Sequence, residues 1–296
     1  MSRDWIVDAG YAAAWRLVRL LPESVAAAGF RLAADMAWRR GGTGVQRLRR
    51  NLRRVVGPAV EEAELDRLTR QAMRSYARYW MEAFRLPSRS GRRLVDRFHV
   101  PRRDLLASAV EEGRGVILAL PHAGNWDLAG AWVVKQGWPL VAVAERLRPE
   151  SLFQRFVAYR ESLGMEILPL TKGTRPPLEV LIESLQAGKV VALLADRDLS
   201  ARGVPVEFFG AQARMPPGPA LLALKTGAPL FAVFLHYEDD RCVAEVEPVP
   251  IPPSDTELLD VRVAQVTQSL ADWMAQRIGK HPTDWHMLQR VWLEDT

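Results

Sequence analysis

Val116-Ile-Leu-Ala-Leu-Pro121-His122-Ala123-Gly124-Asn125-Trp126-Asp127 is the stretch whose reading decides the fold of this chain. The apolar run from Val116 reads as a buried strand. Pro121 has no N–H to give a ladder, so the strand stops there. Gly124 lets the backbone turn. Asn125 is a helix N-cap, and Asp127 falls in the first helical turn, where a negative charge suits the helix dipole. His122 is thereby expected where a buried strand meets a helix start, the place where open α/β sheets bind ligands.

The same texture runs outward from this point. Short apolar runs of strand length recur at 115–120, 140–144, 166–170, 190–195, 230–236 and 243–248. Helical stretches at 103–112, 125–136, 149–163, 177–187, 217–226 and 257–278 alternate with them. Alternation of this kind predicts an α/β fold: a central mostly parallel or mixed sheet flanked by helices on both faces, over residues 97–296.

Residues 1–90 read as a helical layer instead. Asp8, Ala12, Arg16 and Arg19 recur at helical spacing on an otherwise apolar, Trp-rich stretch that Pro22 ends. A second helix over 23–38 carries Arg31, Asp35 and Arg39 on one stripe, and a later one over 61–84 carries Tyr76, Tyr79, Trp80 and Phe84 along one side. Between them Arg39, Arg40, Arg47, Arg49, Arg50, Arg53 and Arg54 follow one another with no acid before Glu61. Such a run reads either as a solvated helix face or as a surface for anionic lipid. No aromatics interleave with it, so nucleic acid is not expected. No Gly/Ser linker divides the chain, and a single domain over 1–296 is the simplest account.

Composition sets the remaining bounds. With 296 residues, 48% of them hydrophobic, the chain can bury a sizeable core. The net charge of +5 favours an anionic partner without choosing one. The single cysteine, Cys242, allows no internal disulfide and no thiolate cluster, as expected of a reducing compartment. No apolar run approaches the roughly 20 residues of a spanning helix, so a cytoplasmic protein attached to a membrane face is expected. The ten Trp suit either a membrane interface or core packing.

His122 and Asp127 lie five residues apart, roughly 140° on a helix, so they meet only if His122 folds back from the turn. Asp127 would then orient the imidazole and leave the other nitrogen free as a base; the alternative is a structural His beside a capping Asp. A second acidic site, Asp196-Arg197-Asp198, also ends a strand and can share the sheet edge with His122. A rival reading makes these two Asp a divalent-metal site for a nucleotide sugar. Arg146, Arg148, Arg160, Arg202, Arg214 and Lys225 flank these strands and suit the phosphates of a thioester donor.

At this point the chain resembles a known family. His122-Ala-Gly-Asn-Trp-Asp127 is similar to the His-x4-Asp motif of glycerolipid and lipid A acyltransferases. Further blocks narrow the resemblance: Ala144-Glu-Arg-Leu147, Arg160-Glu-Ser-Leu-Gly164, Ala195-Asp-Arg-Asp-Leu199, Phe208-Phe-Gly210, Met215-Pro-Pro-Gly-Pro-Ala220 and Asp284-Trp-His-Met-Leu288. In this order they resemble the bacterial lauroyl/myristoyl acyltransferases, and most closely the actinobacterial branch that acts on phosphatidylinositol mannosides. The resemblance implies a peripheral enzyme on the cytoplasmic face of the plasma membrane, with the helical N-terminal layer facing the lipid. It implies palmitoyl-CoA as donor, a mannosylated phosphatidylinositol as acceptor, and transfer to the 6-hydroxyl of the mannose on the inositol 2-position. No bound cofactor and no metal are implied. His122 matches the catalytic base. Asp196 stands where mycobacterial relatives are expected to carry Glu, which leaves direct contact or a bridging water between it and His122. Asp127 takes an orienting or structural role, and Arg160, Arg202 and Lys225 fall at donor-binding positions. Transfer would be direct, with backbone N–H groups near Gly124–Trp126 supporting the oxyanion. A thioesterase or lipid hydrolase with the same His/Asp site, or a lipid-binding protein without activity, are the alternatives.

Overall fold

The computed structural model describes residues 15, 18–146, 149–171, 175–198, 203–253 and 258–295. A seven-stranded sheet forms its centre, in the spatial order β1-β9-β8-β2-β5-β3-β4. The strands are β1 Phe98–His99, β2 Val116–Leu120, β3 Leu140–Ala144, β4 Glu166–Pro169, β5 Val190–Leu194, β8 Leu230–Glu238 and β9 Arg241–Pro248. From β8 to β4 all neighbours pair in parallel, and only the β9/β1 edge runs the other way. β2 is buried along its whole length because both sheet faces are covered.

Side chains alternate between two cores. Ile117 and Ala119 point to one, walled by α8 Pro177–Gln186, α9 Gly218–Thr226 and α10 Leu259–Lys280. Val116, Leu118 and Leu120 point to the other. That second core is covered by α3 Glu62–Arg85, α4 Arg89–Asp96, α5 Arg103–Glu111, α6 Trp126–Lys135 and α7 Glu150–Glu161. A third, smaller core joins α1 Glu23–Arg40 and α2 Thr43–Val56 to α3 through Ala34, Val45, Leu48, Leu52, Leu65 and Met73. Over residues 23–85 these three helices form one unit, and its last helix also roofs the sheet.

Several sequence expectations change here. The stretch before Pro22 lies mostly outside the described residues. Asp35 does not face solvent with Arg31 and Arg39: it is buried against α3, where Arg70 and Arg74 each bind both its oxygens. These two guanidinium groups hold its carboxyl far below the usual range. The arginine run is partly neutralised from a distance, Arg49 and Arg53 by Glu62 and Arg54 by Glu294. Arg39, Arg40 and Arg50 stay exposed. Most Trp pack in the cores, with Trp15, Trp132, Trp285 and Trp292 buried.

A hairpin absent from the sequence reading, β6 Val204–Phe208 with β7 Ala211–Met215, stands apart from the main sheet. Phe209 and Gly210 turn it with φ of 52° and 70°. Positive φ at both positions is what a two-residue hairpin turn requires.

Candidate active site

The site is built by the register of two strands. β2 and β5 pair in parallel with Leu120 opposite Leu194. Continuing that register by two residues sets His122 opposite Asp196, and the Ala195 N–H still bonds Leu120 O at 2.9 Å. Beyond these ends the chain diverges. From β2 it crosses over the second core through α6 to β3, whereas from β5 it passes to the opposite face, through α9, to β8. Diverging connections at the C-terminal ends of adjacent parallel strands open a crevice.

Asp196 is completely buried and all its contacts converge on the His122 turn. Its Oδ1 lies 2.6 Å from His122 Nδ1, and its Oδ2 accepts the His122 backbone N–H at 2.9 Å and the Trp285 indole N–H at 2.8 Å. Burial pushes the carboxyl up, but the charge and hydrogen bonds of His122 and Trp285 outweigh it and hold Asp196 below the ordinary value. An ionised carboxylate only accepts, so Nδ1 carries the imidazole proton and Nε2 is left with its lone pair. The His122 side chain is 30% exposed, so this nitrogen stands at the crevice rather than in the core.

The turn is clamped from the C-terminal side. Trp285 bridges Ala123 in antiparallel fashion, Gly124 N–H bonds Asp284 O at 2.9 Å, and His286 N–H bonds His122 O at 2.7 Å. Gly124 has φ +55°, and a Cβ there would lie 2.7 Å from both Leu235 Cβ and Leu235 O. Only glycine fits. Asn125 caps α6 by accepting Leu128 N–H, as read from sequence, and its amide also donates to Glu82.

Asp127 goes elsewhere. It is buried under α6, accepts the Tyr79 hydroxyl at 2.8 Å, and takes Arg160 Nε at 2.7 Å. The carboxylate that holds the imidazole is therefore Asp196 and not Asp127, and the contact is direct. Burial works against the Arg160 charge, but Asp127 more than offsets it and raises the guanidinium above its usual value. Of the remaining expected residues, Arg202 lies outside the described residues. Lys225 is exposed near the C-terminus of α9, which leads into the start of β8; that start pairs with the start of β2, so Lys225 sits at the sheet edge opposite His122. Arg146 is spent on Glu150, and Arg214 on Gly203 O.

The Asp-x-Asp reading fails on geometry. Asp196 is spent on His122 and Trp285, while Asp198 accepts the Gly203 N–H at 2.7 Å. Backbone support for an oxyanion also narrows, since the Gly124 N–H is bonded to Asp284 O. The Trp126 indole N–H, in contrast, is buried with no partner among the described residues, and its ring meets His122 edge-on at 5.7 Å.

Sequence reasoning assigned no role to Ser75, Glu82, Asp284, Trp285 or His286, and gave Tyr79 only as part of the Tyr76–Phe84 face, a candidate wall of an acyl groove. Ser75, Tyr79 and Glu82 fall four and three apart, on one face of α3, and meet the motif from above. Ser75 resembles a nucleophile only by neighbourhood. It donates to Asp284 at 2.6 Å and lies 3.0 Å from Nε2 of His286, a ring whose Nδ1 has no partner among the described residues. An activated serine needs its acid on the histidine, and burial pushes His286 down to about 3, too weak for a base. Burial also pushes the Cys242 thiol up, away from a reactive thiolate.

An apolar cavity opens beside this polar turn, between α6 and the second face of the sheet. Leu118, Leu120, Ala129, Val133, Ala192 and Leu194 line it, with Trp126, Asp127 and Arg160 also on its wall. Among the described residues no helix is long and apolar enough to cross a membrane.

The chain is similar to known acyltransferases along nearly its whole length. The family model described as bacterial lipid A biosynthesis acyltransferase matches residues 1–294. A phosphatidylinositol mannoside acyltransferase of Mycolicibacterium smegmatis is 51% identical over 98% of this chain and 92% of its own length. Its namesake from Mycobacterium tuberculosis is 47% identical over 99% of this chain and 90% of its own. A lipid A biosynthesis acyltransferase of Haemophilus influenzae is 24% identical over 48% of this chain and 44% of its own. A buried Asp holding a crevice-facing His at a sheet edge, the absence of an activated serine or cysteine among the described residues, and a match along nearly the whole chain lead to one conclusion: this protein belongs to the bacterial lipid A biosynthesis acyltransferase family.

Proposed function

We propose that the enzyme moves a palmitoyl chain from palmitoyl-CoA to the 6-hydroxyl of the mannose on the inositol 2-position of a phosphatidylinositol mannoside. One observation carries the chemistry: buried Asp196 fixes half-exposed His122 in the tautomer whose Nε2 is free. That nitrogen takes the hydroxyl proton as the sugar oxygen attacks the thioester carbonyl. The carbonyl π electrons move to oxygen, and the Trp126 indole N–H is the donor best situated to stabilise it. When the intermediate collapses, the C–S bond breaks and the thiolate leaves with the proton from the imidazolium, which Asp196 has stabilised meanwhile. No acyl-enzyme forms. The names of the two mycobacterial relatives support the acceptor class.

The apolar cavity under α6 suits part of the acyl chain, where each buried methylene contributes about 0.8 kcal/mol. Asp127 and Arg160 hold α7 against α6 at its wall, so Arg160 supports the donor site by shaping it. Membrane attachment falls to α1. Val25, Leu32 and Met36 are 52%, 59% and 40% exposed and lie on one face, with Arg39 and Arg40 at its end. An apolar stripe beside unpaired cations fits the cytoplasmic surface of an anionic bilayer.

Product analysis tests the proposal. Labelled palmitoyl-CoA is incubated with and without phosphatidylinositol dimannoside, in the presence and absence of EDTA. Labelled glycolipid that forms only with the acceptor, indifferent to EDTA, is the expected result. Free fatty acid as sole product would make the enzyme a hydrolase.

A further inference from the structure

Behind the turn that carries Trp285, three side chains unused by this scheme aim their ligand atoms at one spot. His236 on β8 and Glu245 on β9 are diagonal neighbours on one sheet face, since Phe234 pairs with Glu245 and His236 with Val243. His281 caps the C-terminus of α10. Glu245 Oε1 lies 3.7 Å from His236 Nε2 and 3.9 Å from His281 Nε2, and the three residues' ligand atoms lie within 4.8 Å of one another. These separations are too long for hydrogen bonds. They are close to ligand spacing: two ligands about 2.1 Å from a tetrahedral metal stand about 3.4 Å apart. Small shifts of the Glu245 carboxylate and a tilt of the stacked imidazoles bring the three donors onto one ion, with water as the fourth ligand.

The surroundings favour occupancy. The His236 side chain is 4% exposed, which keeps its ring fixed between the hairpin and His281. The positive charge of Arg277 is already balanced: its Nε holds Glu245 Oε2 at 3.3 Å and its terminal nitrogen faces Glu247. That bond also orients Oε1 toward the histidines. His281 and Glu245 are each 31% exposed, which leaves a route from solvent. Two imidazoles and one carboxylate suit a zinc-class ion, whereas calcium and magnesium take oxygen ligands.

We propose that His236, Glu245 and His281 bind one zinc-class divalent cation as a structural clip, separate from the acyl-transfer chemistry. The clip ties the end of α10 to the β8–β9 hairpin. His281 opens the segment 281–286, which supplies Asp284 O to Gly124 and the Trp285 indole to Asp196. An occupied site therefore steadies the wall behind the catalytic pair without touching substrate.

The full-length protein, stripped on a chelating resin, is titrated with Zn2+ against a chromogenic chelator and, separately, with Co2+. The expected result is one equivalent bound, visible absorption of a tetrahedral cobalt centre, and a rise in Tm on adding zinc. His281→Ala and Glu245→Gln each weaken binding at least about tenfold, while His122→Ala and His99→Ala leave it unchanged. Circular dichroism confirms that each variant is folded, and Glu245→Gln serves if His281→Ala is not. Absence of saturable binding, binding indifferent to both ligand substitutions, or binding lost in His122→Ala would each overturn the proposal.

Discussion

Asp196 and Asp127 are buried on either side of one turn, and they differ in the partner each one holds. Asp196 is matched to an imidazole that is 30% exposed and keeps one ring nitrogen free of it. Asp127 is matched to Arg160, a guanidinium that keeps its proton at any working pH, with the Tyr79 hydroxyl as a second donor. In the proposed scheme the first pair is a proton relay open to the crevice; the second is a closed ion pair that ties α3, α6 and α7 together. A motif of the His-x4-Asp kind therefore places its two residues in different jobs. The acid that serves the histidine comes from another strand, 74 positions away.

Substitutions that separate these jobs test the comparison. The largest expected loss of stability belongs to Asp127→Ala. It strands the Arg160 charge in a buried site and should cost about 3–5 kcal/mol in chemical denaturation, as removing one partner of a buried pair does. If Asp127→Ala loses turnover with full stability, the pair has a chemical role and the division fails. Asp196→Asn should act the other way. An amide that donates toward Nδ1 forces the proton onto Nε2, and kcat should fall about 10²- to 10³-fold. Steady-state kinetics on folded protein checks this, and an unchanged kcat would remove Asp196 from the relay.

The clamp around the turn makes a smaller, pH-dependent prediction. His286 is held near 3 in the folded state against an ordinary 6.5. Between these values the unfolded chain binds a proton that the native protein does not. Its contribution to stability is therefore complete above pH 6.5 and declines as pH falls toward about 3. The slope is about 1.4 kcal/mol per pH unit for one proton. Denaturation from pH 7 to 4 should show a flatter dependence in His286→Asn than in the parent. An equal slope would mean that the ring is already protonated in the fold.

The smallest effect concerns α1. Leu32→Glu with Met36→Glu should weaken binding to anionic vesicles a few-fold, by loss of apolar contact. Turnover of a soluble acceptor should be unaffected. Equal losses on both acceptors would mean that the stripe serves the fold rather than the membrane.

The sequence carried the sheet well because its strands are apolar runs buried on both faces, and six of them fall within about two residues of the expected bounds. Short or two-faced strands were silent. β1 has two residues, and the β6–β7 hairpin turns at Phe209, whose positive φ a phenylalanine gives no sign of adopting. His122 was legible from Pro121, Gly124 and Asn125, which are local. Its partner was not legible from local pattern, because the β2–β5 register joins segments far apart in sequence; Asp196 came from its strand-end position and from the family resemblance. Spacing could not tell that Asp127 turns toward Arg160, nor that Lys225 lies at the far sheet edge. Trp285 stood in a recognisable block but with no chemical signal, since an indole that steadies a carboxylate looks like any core tryptophan.

The most direct test is labelled acyl transfer from palmitoyl-CoA to phosphatidylinositol dimannoside by the parent and by His122→Ala, with Tm measured on the same preparations. Labelled glycolipid from the parent, a fall of at least about 10²-fold in the variant, and a Tm that barely moves are the expected result. Undiminished transfer by a folded His122→Ala protein would contradict the assignment of His122 as the base.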